Sequence, residues 1–135
     1  MGGMLHDIGK LGVSLEILGK RDKLTEDEIA ILKKHVDIGI KIVSNIHNLE
    51  MVAPVIASIY ERWDGTGYPN SLKGDEIPIE SRVIAVVNAY LAMRIDRAYR
   101  KGVADSTAIE ELVNNRGKQF DPKIIDAFLQ IQRQR

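Results

Sequence analysis

Two stretches of this sequence gather side chains able to do chemistry. "LHDIGK", residues 5–10, sets His6, Asp7 and Lys10 within one helical turn. An imidazole and a carboxylate so placed can reach a common metal, and a cation one turn on can meet an anionic substrate. The same pair also suits a helix end, where both side chains act as caps, and the dipeptide alone does not separate these readings. Downstream, "LKKHVDIG" places His35 on a predicted helix with Ile31, Ile38 and Ile42; a ligand and a buried, hydrogen-bonded core histidine both fit. His47, near a predicted helix end, has no neighbours that argue for chemistry. The second stretch, "ERWDGTGYPNSLKGDEIP", is dense in glycine, proline, Asp and Asn. Its glycines let backbone approach a ligand closely, and Tyr68 offers a ring face and a hydroxyl. An exposed turn with Tyr68 packed on the protein body fits the same residues.

The elements that must position these groups read as helices. Thr25 and Glu28 form a capping-box pattern, followed by Ile29, Leu32, Val36, Ile40 and Val43 at helical spacing. A second helix is predicted from about Leu49 to Arg62, with Pro54 tolerated in its first turn. A third runs from Ile79 to about Tyr90 or beyond, apolar on most sides and so expected to be central. Ile109, Leu112 and Val113 mark a short helix, and "FDPKIIDAFLQ" starts another with Asp121 as cap and Pro122 at the first helical position. No segment alternates as a strand does. The expected fold is all-α, a bundle in one domain, residues 1–135.

Composition narrows the function classes. Of 135 residues 44% are apolar and 28% charged, enough for one globular core. Lys plus Arg equals Asp plus Glu, 19 each, so no bulk field draws the chain to nucleic acid or an anionic membrane. Cysteine is absent, which excludes disulfides and thiolate metal sites. No apolar run approaches the roughly 20 residues that span a bilayer, and the N-terminus lacks a signal-peptide layout. A cytoplasmic location is expected.

"LHDIGK", the histidine of "LKKHVDIG", "ERWDGTGYP" with "LKGDEIP", and "RAYR", taken in that order, resemble the HD-GYP family of metal-dependent phosphohydrolases. Members degrade the bacterial second messenger cyclic di-GMP. The resemblance runs from Leu5 to about Phe128; the Gly-Tyr-Pro loop is its specific part, and the His-Asp pair is shared with the wider HD superfamily. It implies an HD-domain-like helical bundle, here of about five to six helices, and two or three iron or manganese ions that activate a water. Carried over by position, His6, Asp7 and His35 match metal ligands, and Asp7 with Lys10 the catalytic pair. Lys10, Gly67, Tyr68, Arg97 and Arg100 match substrate contacts, with Pro69 completing the namesake loop.

The departures are as informative. The family reads His-His-Glu where this chain has Ile59-Tyr60-Glu61, and both absent histidines are ligands. Asn88 stands where the family has a ligand aspartate, and Leu91 where it has another. Family members also carry an upstream helix with a glutamate and a histidine ligand, whereas this sequence starts five residues before His6. Several divalent ions need carboxylates to offset their charge, and Asp7 alone cannot do that. The expectation is therefore a degenerate domain in cyclic di-GMP signalling, acting as a nucleotide-binding or protein-interaction module with at most one weakly bound ion. An active phosphodiesterase with a rearranged site is the alternative. The others are a shortened chain whose missing residues supply two of the ligands, and a purely structural domain. Without the upstream helices, apolar surface near Met4, Leu5, Ile8 and Leu11 is expected to be exposed and covered by a twofold homodimer.

Overall fold

The computed structural model describes residues 1–96 and 100–134, which gather into two compact units, Met1–Ala57 and Ser58–Arg135. The first unit runs α1 (Gly2–Leu5), a 3-10 turn (Ile8–Gly12), α2 (Leu15–Leu18), α3 (Glu26–Lys33), α4 (His35–Ser44), a 3-10 turn (Glu50–Val52) and α5 (Ala53–Ala57). The second holds a long loop with a 3-10 turn (Gly74–Glu76), then α6 (Ile79–Arg94), α7 (Asp105–Asn114) and α8 (Pro122–Arg133). Among the described residues there is no named strand; Arg116 and Phe120 form an isolated bridge. The fold is all-α, as the sequence predicts.

Thr25 starts α3 with the predicted capping box: its hydroxyl accepts from the Glu28 N–H at 3.2 Å, and Glu28 Oε2 accepts from the Thr25 N–H at 2.8 Å. The apolar spacing predicts one helix to Val43, but the chain makes two. At Lys34 the N–H bonds to Ile31 O, three residues back, at 3.1 Å, and this tightened turn separates α3 from α4. Periodicity reports which positions are apolar and does not register a one-residue change in bonding. The two helices differ in burial: α4 buries His35, Val36, Gly39 and Val43, and α3 buries none.

Two glycines explain how α4 is covered. A Cβ on Gly9 would fall on the His35 carbonyl, and one on Gly39 would meet the Gly9 N and Ile56. The 3-10 turn thus lies directly on α4, which also packs against α5. The predicted helix from Leu49 to Arg62 is shorter than expected. It forms only as the 3-10 turn and α5, and Ser58–Tyr60 leave it in a turn closed by Glu61 N–H to Ser58 O at 3.2 Å.

In the second unit the core is Val86, Leu112, Phe120 and Ile125, with Tyr90, Met93, Phe128 and Leu129 packed on it. Asp121 caps α8 as predicted, accepting from the Lys123 N–H at 2.8 Å, with Pro122 at the first position. α6 is not surrounded on all sides: Ile79, Val83, Val87 and Leu91, four residues apart along one face, are each 40–48% exposed. Only Ser81 and Val86 of α6 are fully buried. None of the described helices is long and apolar enough to cross a membrane.

Candidate functional site

The sequence-predicted residues fall into two groups, one in each unit. In the first, His6 ends α1 and Asp7 precedes the 3-10 turn, so both project from a corner of backbone. His6 Nε2 lies 3.4 Å from Asp7 Oδ2, and Lys10 Nζ donates to Asp7 Oδ1 at 2.8 Å. His35 comes from α4, brought beneath this corner by the close packing of Gly9 on its carbonyl. Its ring is buried, 2% exposed. Partial burial works to raise the Asp7 pKa, but the Lys10 hydrogen bond and charge, with the His6 and His35 imidazoles nearby, outweigh it. The carboxyl is held below the ordinary aspartate value.

Both histidines are oriented alike. His6 Nδ1 bonds to Gly3 O at 2.8 Å and His35 Nδ1 to Leu32 O at 2.5 Å. A backbone carbonyl on Nδ1 fixes that nitrogen as the protonated one and so sets the tautomer of each ring. Either histidine alone would be an ordinary capped or core residue; together with Asp7 they make a small polar cluster. Its donor set contains a single carboxylate, already engaged by an ammonium. Among the described residues no three or more histidine, aspartate or glutamate side chains converge as a metal cluster. This donor set does not fit a multinuclear centre, whose ions need several carboxylates to balance them.

The second group is the loop. Asp64 accepts from the Thr66 N–H at 3.0 Å and from its hydroxyl at 2.6 Å, while Gly65 takes φ +81°, closing the first turn. Gly67 crosses so near the backbone of Glu61 and Arg62 that a Cβ would collide there. Tyr68, joined to Pro69 by a cis peptide, stacks on Tyr60 with ring centroids 5.3 Å apart and planes 10° from parallel. Burial raises the Tyr68 hydroxyl pKa. The loop is fastened at its ends: Trp63 and Asp64 donate to the Gln119 and Lys118 carbonyls at 3.1 and 2.9 Å. Arg82 pairs with Asp75 at 2.9 Å and with Asp121, 2% exposed, at 2.8 Å. Its guanidinium also lies over the Trp63 ring, 5.7 Å from the centroid.

Of the other predicted contacts, Arg100 is exposed and donates to Ala92 O at 2.7 Å, and Arg97 lies outside the described residues. Of the positions that depart from the family pattern, Ile59 is a buried core residue, 5% exposed, and Leu91 is 45% exposed. Two features of the loop escaped the sequence reading, the Tyr60–Tyr68 stack and the buried Glu61 carboxylate. Glu61 did carry a signal, an acidic residue set between Ile59 and Trp63 just before a run of turn formers.

With both groups described, the comparisons with known proteins fall into place. The HD domain family model matches residues 1–124, and the chain belongs to this family as an HD-GYP member. Over 128 residues it is 37% identical to a 3'3'-cGAMP-specific phosphodiesterase 2 of Vibrio cholerae, covering 93% of this chain and 24% of that protein. Over 132 residues it is 38% identical to a cyclic di-GMP phosphodiesterase of Thermotoga maritima, covering 96% and 36%. Bd1817 of Bdellovibrio bacteriovorus, described as an HDG"Y"P protein, matches in fold with a TM-score of 0.69 at 23% identity, over 98% of this chain and 42% of that one. The chain thus spans about a quarter to a third of the length of these two phosphodiesterases.

Proposed function

We propose that residues 1–135 form one degenerate HD-GYP domain of cyclic di-GMP signalling, a cytoplasmic nucleotide-binding or protein-interaction module with little or no hydrolysis. The observation that carries this reading is what replaces the family's two histidines. Ile59 is built into the core and Tyr60 stacks on Tyr68, so neither position offers a nitrogen. Asp7 remains as a single carboxylate bound to Lys10. At most one weakly bound divalent ion is expected, with His6, Asp7 and His35 as its candidate ligands, and loading it would have to draw together side chains that do not converge as a metal cluster among the described residues. Lys10, Arg97 and Arg100, with Gly67 and Tyr68, are the candidate contacts to a cyclic dinucleotide, and cationic contacts to phosphate do not require a metal.

The alternative, an active phosphodiesterase with a rearranged site, draws support from the shared tautomer that backbone carbonyls set in His6 and His35 and from the names of the relatives. Phosphodiesterases built on the HD domain are metal-dependent, so metal and turnover separate the two readings. Anaerobically purified protein should carry less than one tightly held iron or manganese per chain. Cyclic di-GMP and 3'3'-cGAMP should be hydrolysed about a thousandfold or more below ordinary enzyme rates. Two or more stoichiometric ions, with turnover lost on Asp7→Ala, would establish the alternative.

A second copy of the chain is the proposed protein partner. Of the four residues expected to form the patch, Met4 and Leu11 are more than four-fifths exposed, whereas Leu5 and Ile8 are only partly so, with the 3-10 turn packed on α4; Leu15 is exposed as well. A twofold pairing would cover such side chains with their own copies. Light scattering at micromolar concentration should show a dimer that Leu11→Glu dissociates; a strictly monomeric species would refute it.

A further inference from the structure

The Gly-Tyr-Pro loop holds its shape through two consecutive residues of this chain. Glu61 is 4% exposed, and its two carboxylate oxygens accept from the Asn70 N–H at 2.7 Å and the Leu72 N–H at 3.0 Å. One buried carboxylate therefore straddles Ser71, which sits at φ +55°. A carboxylate removed from water is tolerated where N–H donors replace its hydration, and here two backbone donors do so. The neighbouring residue grips the other arm. Tyr60 O accepts from the Tyr68 N–H at 3.2 Å, and the two rings stack. Gly67 passes between these two holds, against the Glu61 and Arg62 backbone, where only a residue without Cβ fits.

We propose that Tyr60 and Glu61 act as a metal-independent clamp that presets the Gly67-Tyr68-Pro69 turn, Glu61 positioning its backbone and Tyr60 the ring of Tyr68. A cyclic dinucleotide then meets a loop already shaped, and the energy of ordering it is not taken from binding. The second half of this inference rests on the proposed nucleotide binding; the clamp itself does not.

The test is amide exchange and proton NMR on the full chain in EDTA. The Asn70 and Leu72 amides should be protected in the wild type, and Glu61→Gln should speed the exchange of both by about tenfold or more. Ring-current shifts of the Tyr68 protons should vanish in Tyr60→Ala, shrink in Tyr60→His, whose smaller ring carries a weaker ring current, and persist in Tyr60→Phe, which keeps the stacking face. Tryptic cleavage after the exposed Lys73 should quicken in the same two variants and not in Tyr60→Phe. If the wild-type Asn70 and Leu72 amides exchange like an open chain in EDTA, the clamp is overturned without recourse to any variant. Unchanged Tyr68 shifts in Tyr60→Ala would overturn it equally. Calorimetry with cyclic di-GMP at low salt is the separate arm. Protected amides with no binding would leave the clamp standing and remove the nucleotide, whereas EDTA abolishing protection and binding together would remove the clamp.

Discussion

The His-Asp corner and the Gly-Tyr-Pro loop carry the two halves of one family motif, and they are built on opposite terms. In the corner, the charged pair of Asp7 and Lys10 stands about two-fifths exposed, at 44% and 38%, and only His35 is deeply buried. In the loop, the charges that matter are inside. Glu61 and Asp121 are nearly inaccessible, and each is satisfied by backbone N–H groups or a guanidinium. Exposed pairs contribute little to stability because water competes for both partners, while buried charges are costly to orphan. The difference teaches that the loop keeps its form by internal bonding of buried charge, whereas the corner holds its one carboxylate by an exposed pair with Lys10.

Removing Asp121 should produce the largest effect on this contrast. Asp121→Ala leaves Arg82 half-paired in the interior and strips the cap from α8, and should cost about 3–4 kcal/mol in urea unfolding. Asp121→Asn, which keeps an acceptor for the Lys123 N–H, should cost less. A loss below about 1 kcal/mol for the alanine variant would show that the loop's anchoring is no firmer than the corner's.

A slightly smaller effect is expected where the corner depends on packing instead of charge. Gly9→Ala drives a methyl group onto the His35 carbonyl and should destabilise by about 3 kcal/mol, since neither backbone can yield cheaply. It should also displace His35 from Asp7, which histidine ring NMR shifts would report. An unfolding midpoint equal to wild type would mean that the turn is free to lift off α4.

The smallest effect belongs to the exposed pair itself. Lys10→Ala should change stability at neutral pH by less than about 1 kcal/mol. The sign with pH follows from the lowered folded pKa of Asp7. Its contribution is fully present above the unfolded value near pH 4 and is lost as pH falls through the lower folded value. The acid limb of the stability curve should therefore flatten in Lys10→Ala, and a curve that superposes on wild type from pH 2 to 5 would show that Asp7 draws nothing from Lys10.

Local chemistry was legible in the sequence because it is written in neighbours. The capping box at Thr25, the Asp121-Pro122 helix start, the all-α class and the turn residues of the loop follow from side chains bonding backbone within a few positions. So did the motif order that resembles HD-GYP proteins, the family to which the chain belongs. The tertiary structure alone decided the rest. The break at Lys34, the early end of α5 at Ala57 and the exposed face of α6 depend on what each helix packs against, and a period of 3.6 carries no record of that. The same holds for the site. That His35 lies under Asp7 required Gly9 to seat on its carbonyl. That Tyr60 faces Tyr68, and that Glu61 reaches Asn70 and Leu72, required a loop to close over nine and eleven residues. Spacing names the groups that can bond; only the folded chain brings distant ones within about 3 Å, where a hydrogen bond forms.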